Sequence, residues 1–88
     1  MLNEYLAEGL GSFVFFTVVL TREDATMIAV ALLIGILIAS VASQAHLNPA
    51  ITGMAYMNGK MSGERSVSYI IAQLVGAIAA MQWVKYTK

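Results

Sequence analysis

Ten residues, Ser43-Gln44-Ala45-His46-Leu47-Asn48-Pro49-Ala50-Ile51-Thr52, contain the chain's one histidine and its one proline, and they stand between long apolar runs. Asparagine caps helices well because its side-chain oxygen accepts a backbone N–H of the first turn. Proline suits the first helical position, where its missing N–H would lack a partner in any case. Asn48-Pro49 therefore reads as a helix start. The apolar stretch behind it lasts nine residues, Pro49 to about Met57, before Asn58-Gly59, whose composition stops helices. A helix that crosses a bilayer needs about twenty residues, so this one is half-length. The chemistry open to it is hydrogen-bond donation rather than bond-making. Irregular backbone at membrane depth is tolerated only where it is buried in protein or lines a watery cavity. A helix N-terminus placed there is a fixed positive end aimed at the cavity's contents. The stretch is a candidate pore element.

Other chemistries find little to work with. One histidine, no cysteine and no pair of carboxylates within an apolar run leave no catalytic triad and no metal site to assemble from one chain. No enzyme, cofactor or metal is expected. The remaining charged group of interest is Glu8, inside the first apolar run. A carboxylate in a membrane span faces the protein interior or water by default. Its position near the amino end equally allows it to reach interfacial water, and the residues alone leave both readings open.

The elements that must position these groups follow from composition and patterning. The 88 residues make one domain, 1–88, and 59% hydrophobic with 11% charged residues is far from the roughly 25% charged of a soluble domain. A membrane protein is expected. Zero net charge without basic or acidic runs gives no reason to expect a nucleic acid partner. The opening Met1-Leu2-Asn3-Glu4-Tyr5 lacks the basic start of a signal peptide, so the first run is expected to be retained.

The first helix is predicted at about 2–20, with Gly9, Gly11 and Ser12 as a small face for close helix contact. Thr21-Arg22-Glu23-Asp24 makes a tight connection. A second helix runs from about 25 to 43, uncharged and carrying Gly35, Ala39, Ser40 and Ala42. Loop and half-helix occupy 44–57, and Asn58 to Arg65 read as a polar surface loop. The third helix runs from about 66 to 84, with Ala72, Gly76 and Ala80 at four-residue spacing. Gln73 is its polar exception and is expected to make a helix-to-helix hydrogen bond. Trp83, Lys85, Tyr86 and Lys88 suit an interfacial belt. The fold class is all-α membrane protein: three transmembrane helices plus one re-entrant half-helix.

Three stretches and the spacing between them together resemble the first half of a major intrinsic protein, the aquaporin and glycerol-facilitator family. Ala7-Glu8-x-x-Gly11-Ser12 resembles the family's first helix, and His46-Leu47-Asn48-Pro49-Ala50-Ile51-Thr52 its first signature loop. Tyr69 to Ala77 resembles its third helix, at the right spacing. The resemblance covers essentially the whole chain. It implies that Asn48 caps the half-helix with its oxygen and turns its amide N–H groups to the pore, and that backbone carbonyls of Gln44, Ala45 and His46 form an acceptor ladder. It implies further that Glu8 accepts from the loop's N–H groups, which favours the interior reading. For His46 it leaves packing beside the loop and a gating role both open. Phe15, Ile28 and Leu32 fall at the family's apolar pore-lining positions. An integral protein of the cytoplasmic (plasma) membrane is implied.

Three departures carry expectations. Gln44 stands where the family usually has glycine, which predicts a stiffer loop or a partly filled pore. Ile28 replaces a frequent aromatic at the outer constriction, which predicts a wider, less polar opening. The family's second Asn-Pro-Ala and the arginine after it have no counterpart in these residues, which predicts weaker exclusion of larger neutral solutes. Full-length members are inverted repeats, and one half cannot enclose a pore. Two copies inserted in opposite directions could, and a further grouping as a fourfold assembly of pairs is expected. Lys60 and Arg65 lie on one side and Arg22, Lys85 and Lys88 on the other, a near-neutral bias for orientation. Such a pore would pass water or small neutral solutes such as glycerol. The alternative is a non-conducting fragment or an accessory subunit bound to a full-length or separately encoded partner.

Overall fold

The computed structural model describes residues 2–87; Met1 and the belt residue Lys88 lie outside the described residues. The protein is all-helical, with α1 (Glu4–Thr21), α2 (Ala25–Ala39), α3 (Pro49–Met57) and α4 (Gly63–Thr87). Each start has a local cause. Asn3 Oδ1 accepts from Leu6 N at 2.8 Å, Asp24 Oδ1 from Thr26 N at 2.9 Å, and Ser62 Oγ from Arg65 N at 3.2 Å. Each cap satisfies one of the N–H groups that a helix start leaves without an internal partner.

Two helix ends differ from the sequence reading. The second helix stops at Ala39, four residues before 43, because the chain turns through 40–43 and the Ser43 amide closes back onto the Ala39 carbonyl. The last helix begins at Gly63 rather than 66, since the Ser62 cap takes Glu64 and Arg65 into the first turn, and it continues to Thr87. Both shifts come from local turn and cap bonds, which apolar patterning does not register.

The central element is α1, which packs against α2 on one side and α4 on the other, while α3 rests on α4. Glu4 meets Arg65 at one end and Phe13 meets Trp83 further along, so α1 and α4 run in the same direction. The contacts are built from small residues. A Cβ on Gly11 would lie 2.5 Å from the Gly35 carbonyl oxygen, and one on Gly76 would lie 2.7 Å from that of Gly9. Neither backbone could come so near if its glycine carried a side chain. The α2 residues buried in this way, Ala31, Gly35 and Ala39, form a single stripe at four-residue spacing.

The outer surface is apolar to an unusual degree. Leu33, Leu37, Leu74, Val75 and Ile78 are all more than half exposed, and buried core residues are mostly alanine. A soluble monomer seldom leaves so much large aliphatic surface open to water. Two helices, α1 and α4, are long and apolar enough to cross a membrane, whereas α2 is a shorter apolar helix of 15 residues. The long axis of the molecule, 40 Å, is close to the thickness of a bilayer with its headgroups, about 40–45 Å.

Candidate functional site

Proline at the first position and Asn48 as the cap open α3, with Asn48 Oδ1 accepting from Ala50 N at 2.8 Å. The oxygen is thereby engaged in the cap, and the residue remains exposed, so its side-chain NH2 is free to face outward. Pro49, Ala50 and Ile51 are exposed beside it. At the far end Gly59 takes φ +73°, and the Gly59 and Lys60 amides return to the carbonyls of Tyr56 and Ala55. That closing turn fixes α3 at nine residues.

The loop ahead of α3 has an unusual backbone. Ala45 (φ 55°) and Leu47 (φ 54°) both lie in the left-handed region, which costs a non-glycine residue roughly 1–2 kcal/mol each. Gln44 has no positive φ, so glycine's freedom is not needed at the position where the family usually has glycine. Alternating conformations turn successive N–H groups to one side, forming a nest for an anion. That anion is Glu8. Its Oε1 accepts from Ser43 Oγ at 2.9 Å and from His46 N at 3.3 Å, and its Oε2 accepts from Leu47 N and from Gln73 Nε2 at 3.0 Å. Glu8 is fully buried, and four donors are what a buried carboxylate requires in place of water.

The two remaining loop amides are held as well. Ala45 N donates to Ser43 Oγ at 2.9 Å and Gln44 N to the Tyr69 hydroxyl at 3.0 Å. From Gln44 to Leu47, therefore, every N–H points into the protein. Among the described residues the carbonyls of Gln44, Ala45 and His46 accept no hydrogen bond.

A second tier lies beneath. Gln73 Nε2 bridges Glu8 and Thr52 Oγ1, at 3.0 Å to each, so the residue does tie helices together. Its amide orientation follows from Glu8, because the oxygen would repel the carboxylate. Thr52 Oγ1 also meets His46 Nδ1 at 2.9 Å and donates to the Asn48 carbonyl at 3.3 Å. The imidazole lies 5.1 Å from the Tyr69 ring, tilted by 49°. His46 is packed beside the loop.

Three sequence candidates sit apart from this cluster. Phe15 is half-buried, with its Cβ close to Gly35 at the α1–α2 crossing and its ring 5.3 Å from Phe16. Ile28 is half-buried on α2, and Leu32, 37% exposed, lies one turn further along. Among the described residues, no three histidine, aspartate or glutamate side chains converge as metal ligands.

The sequence reading passed over Ser43, Thr52, Tyr69, Glu4 and Arg65 as site residues. A signal for three of them was present. Glu4, Glu8 and Ser12 recur every four residues on α1, and Arg65, Tyr69 and Gln73 do so on α4. Two polar stripes on otherwise apolar helices are neighbours in waiting. Ser43 and Thr52 carried no such pattern.

The profile of the family described as "Major intrinsic protein" matches residues 1–88. The chain is similar to "Glycerol uptake facilitator protein-like 6" of Lactiplantibacillus plantarum, 36% identical over 93 residues, covering 96% of this chain and 43% of that protein. It is also similar to "Aquaporin-5" of Sus scrofa, 42% identical over 60 residues, covering 61% of this chain and 23% of that one. "Lens fiber major intrinsic protein" of Lithobates pipiens is 38% identical over 61 residues, covering 62% and 23%. The chain thus spans less than half the length of these curated relatives. No solved structure matches it significantly.

Proposed function

The chain belongs to the major intrinsic protein family, and from that premise we propose that it forms one half of a passive membrane channel for water and small neutral solutes such as glycerol. α1, α2 and α4 cross the bilayer and α3 enters to mid-depth. A second half completes the pore, and a second copy in the opposite orientation supplies it most simply, with pairs grouping in turn as a fourfold assembly. The observation that carries the reading is the division of the loop: all four amides from Gln44 to Leu47 are engaged inside, while three carbonyls and the Asn48 side-chain amide are not.

The mechanism follows from that division. A file of waters or a polyol hydroxyl accepts from the Asn48 amide and donates to the carbonyls of Gln44, Ala45 and His46. Phe15, Ile28 and Leu32 furnish the apolar opposite wall, so each molecule has few partners and a fixed orientation. The N-terminus of α3 presents roughly half a positive charge beside Asn48, which opposes cations and protons. Nothing in this path requires a reaction, and the protein is not an enzyme.

Stopped-flow measurement on proteoliposomes of the purified chain, with insertion in both orientations verified, tests the proposal. Water and glycerol should equilibrate faster than in protein-free vesicles, and Asn48→Ala should slow both roughly tenfold, as expected for one lost donor to the permeant. Vesicles carrying correctly inserted protein that equilibrate no faster than empty ones would sink it.

A further inference from the structure

One end of the loop is held by groups that the pore itself does not contain. The Tyr69 ring is completely buried, in edge contact with Tyr5 at 5.9 Å and in tilted contact with His46, and its hydroxyl accepts from Gln44 N at 3.0 Å. That hydroxyl donates in turn to Glu4 Oε1 at 2.7 Å. Glu4 is gripped by Arg65, with Nη2 at 2.7 Å from Oε1 and Nε at 3.2 Å from Oε2. The Arg65 and Glu4 side chains are 37% and 27% exposed, so the chain of bonds begins at the water-facing ends of α1 and α4 and finishes on loop backbone.

Resting on the channel reading above, we propose that Tyr69, oriented by Glu4 and Arg65, is a positioning residue that sets the entry of the carbonyl row. The physical need is the backbone of the loop. Two left-handed residues persist only where their surroundings over-determine them. Glu8 fixes His46 and Leu47 through their amides and Ser43 through its hydroxyl, and it makes no bond to Gln44. Upstream of His46, the amides of Gln44 and Ala45 rest on Tyr69 and on Ser43. Ser43 is itself tied to Glu8 and serves Ala45, which leaves Tyr69 as the hold from another helix on Gln44 N–H. Donation from Tyr69 to a carboxylate strengthens the hydroxyl as an acceptor, since bonds in series polarise one another.

Two readouts on the full chain in lipid test this. Amide hydrogen exchange at Gln44 should quicken about fivefold in Tyr69→Phe, the factor for one lost hydrogen bond, with exchange along α4 unchanged. Glu4→Ala should quicken it similarly. Glu4→Gln should restore most of the protection, because an amide oxygen still accepts from Tyr69 although the full ion pair is gone. Glu4→Gln behaving like Glu4→Ala would show that the charge pair only ties two helices, and would overturn the proposal. Unchanged exchange at Gln44 in Tyr69→Phe would overturn it also. In the flux assay Tyr69→Phe should alter the water-to-glycerol ratio at equal inserted protein. Loosened exchange with an unaltered ratio would refute positioning. A wild-type chain without flux would defeat the channel reading alone, leaving the exchange result to decide whether Tyr69 holds the loop.

Discussion

Glu8 is the residue on which the loop depends most. Replacing it by glutamine keeps the shape but turns one acceptor into a donor pair facing N–H or hydroxyl donors. The expected cost is about 3 kcal/mol, from broken charge-assisted bonds and buried donors left unpaired. A thermal melt in detergent should show it, with flux lost in parallel. Thr52→Val removes the hydroxyl on which Gln73, His46 and the Asn48 carbonyl converge. A loss of about 1–2 kcal/mol is expected for it, and a change in the His46 ring signals by NMR would confirm that the two side chains are coupled. At this scale the sequence was half legible. Asn48 could be read as a cap from its own chemistry, whereas the partners of Glu8 lie 35 to 65 residues away and no local rule pairs them.

Between elements, the decisive features are the glycine crossings. Gly11→Ala places a methyl group against the Gly35 carbonyl at 2.5 Å and the Ala39 side chain at 2.8 Å, so α1 and α2 must separate. Overpacking of this kind costs about 1–3 kcal/mol. Gly53→Ala is the natural control, because nothing lies within 4 Å of a Cβ there and helix propensity favours alanine by up to about 1 kcal/mol. Chemical denaturation of the two variants side by side should separate them in sign. Small residues in the sequence marked both helices for close contact, but abundance of glycine and alanine in apolar helices did not say which one meets which. The ends of α2 and α4 were misplaced for a related reason: Ser43 and Ser62 take backbone bonds whose consequences depend on where the chain turns.

For the whole molecule, direction of insertion is the question that matters. Lys60 and Arg65 stand at one end, Arg22 and Lys85 at the other, and the parallel course of α1 and α4 keeps the two sets apart. Pairing of opposed copies predicts comparable amounts of both orientations, measurable by labelling a cysteine placed at Glu23 with an impermeant reagent. Arg22→Gln with Lys85→Gln should drive insertion to one orientation and abolish flux, while flux retained under a single orientation would exclude opposed pairing. Hydrophobic content, the scarcity of charge and the Asn48-Pro49 start determined from sequence alone that this is an all-helical membrane-type chain with a half-length helix, because such properties are sums over residues or belong to adjacent ones. Only the tertiary structure decided that Glu8 fills a nest of loop amides, that Tyr69 reaches Gln44, and that the carbonyls of 44–46 accept no hydrogen bond among the described residues. Those arrangements depend on the left-handed turns at Ala45 and Leu47, which alanine and leucine adopt only when distant helices hold them there.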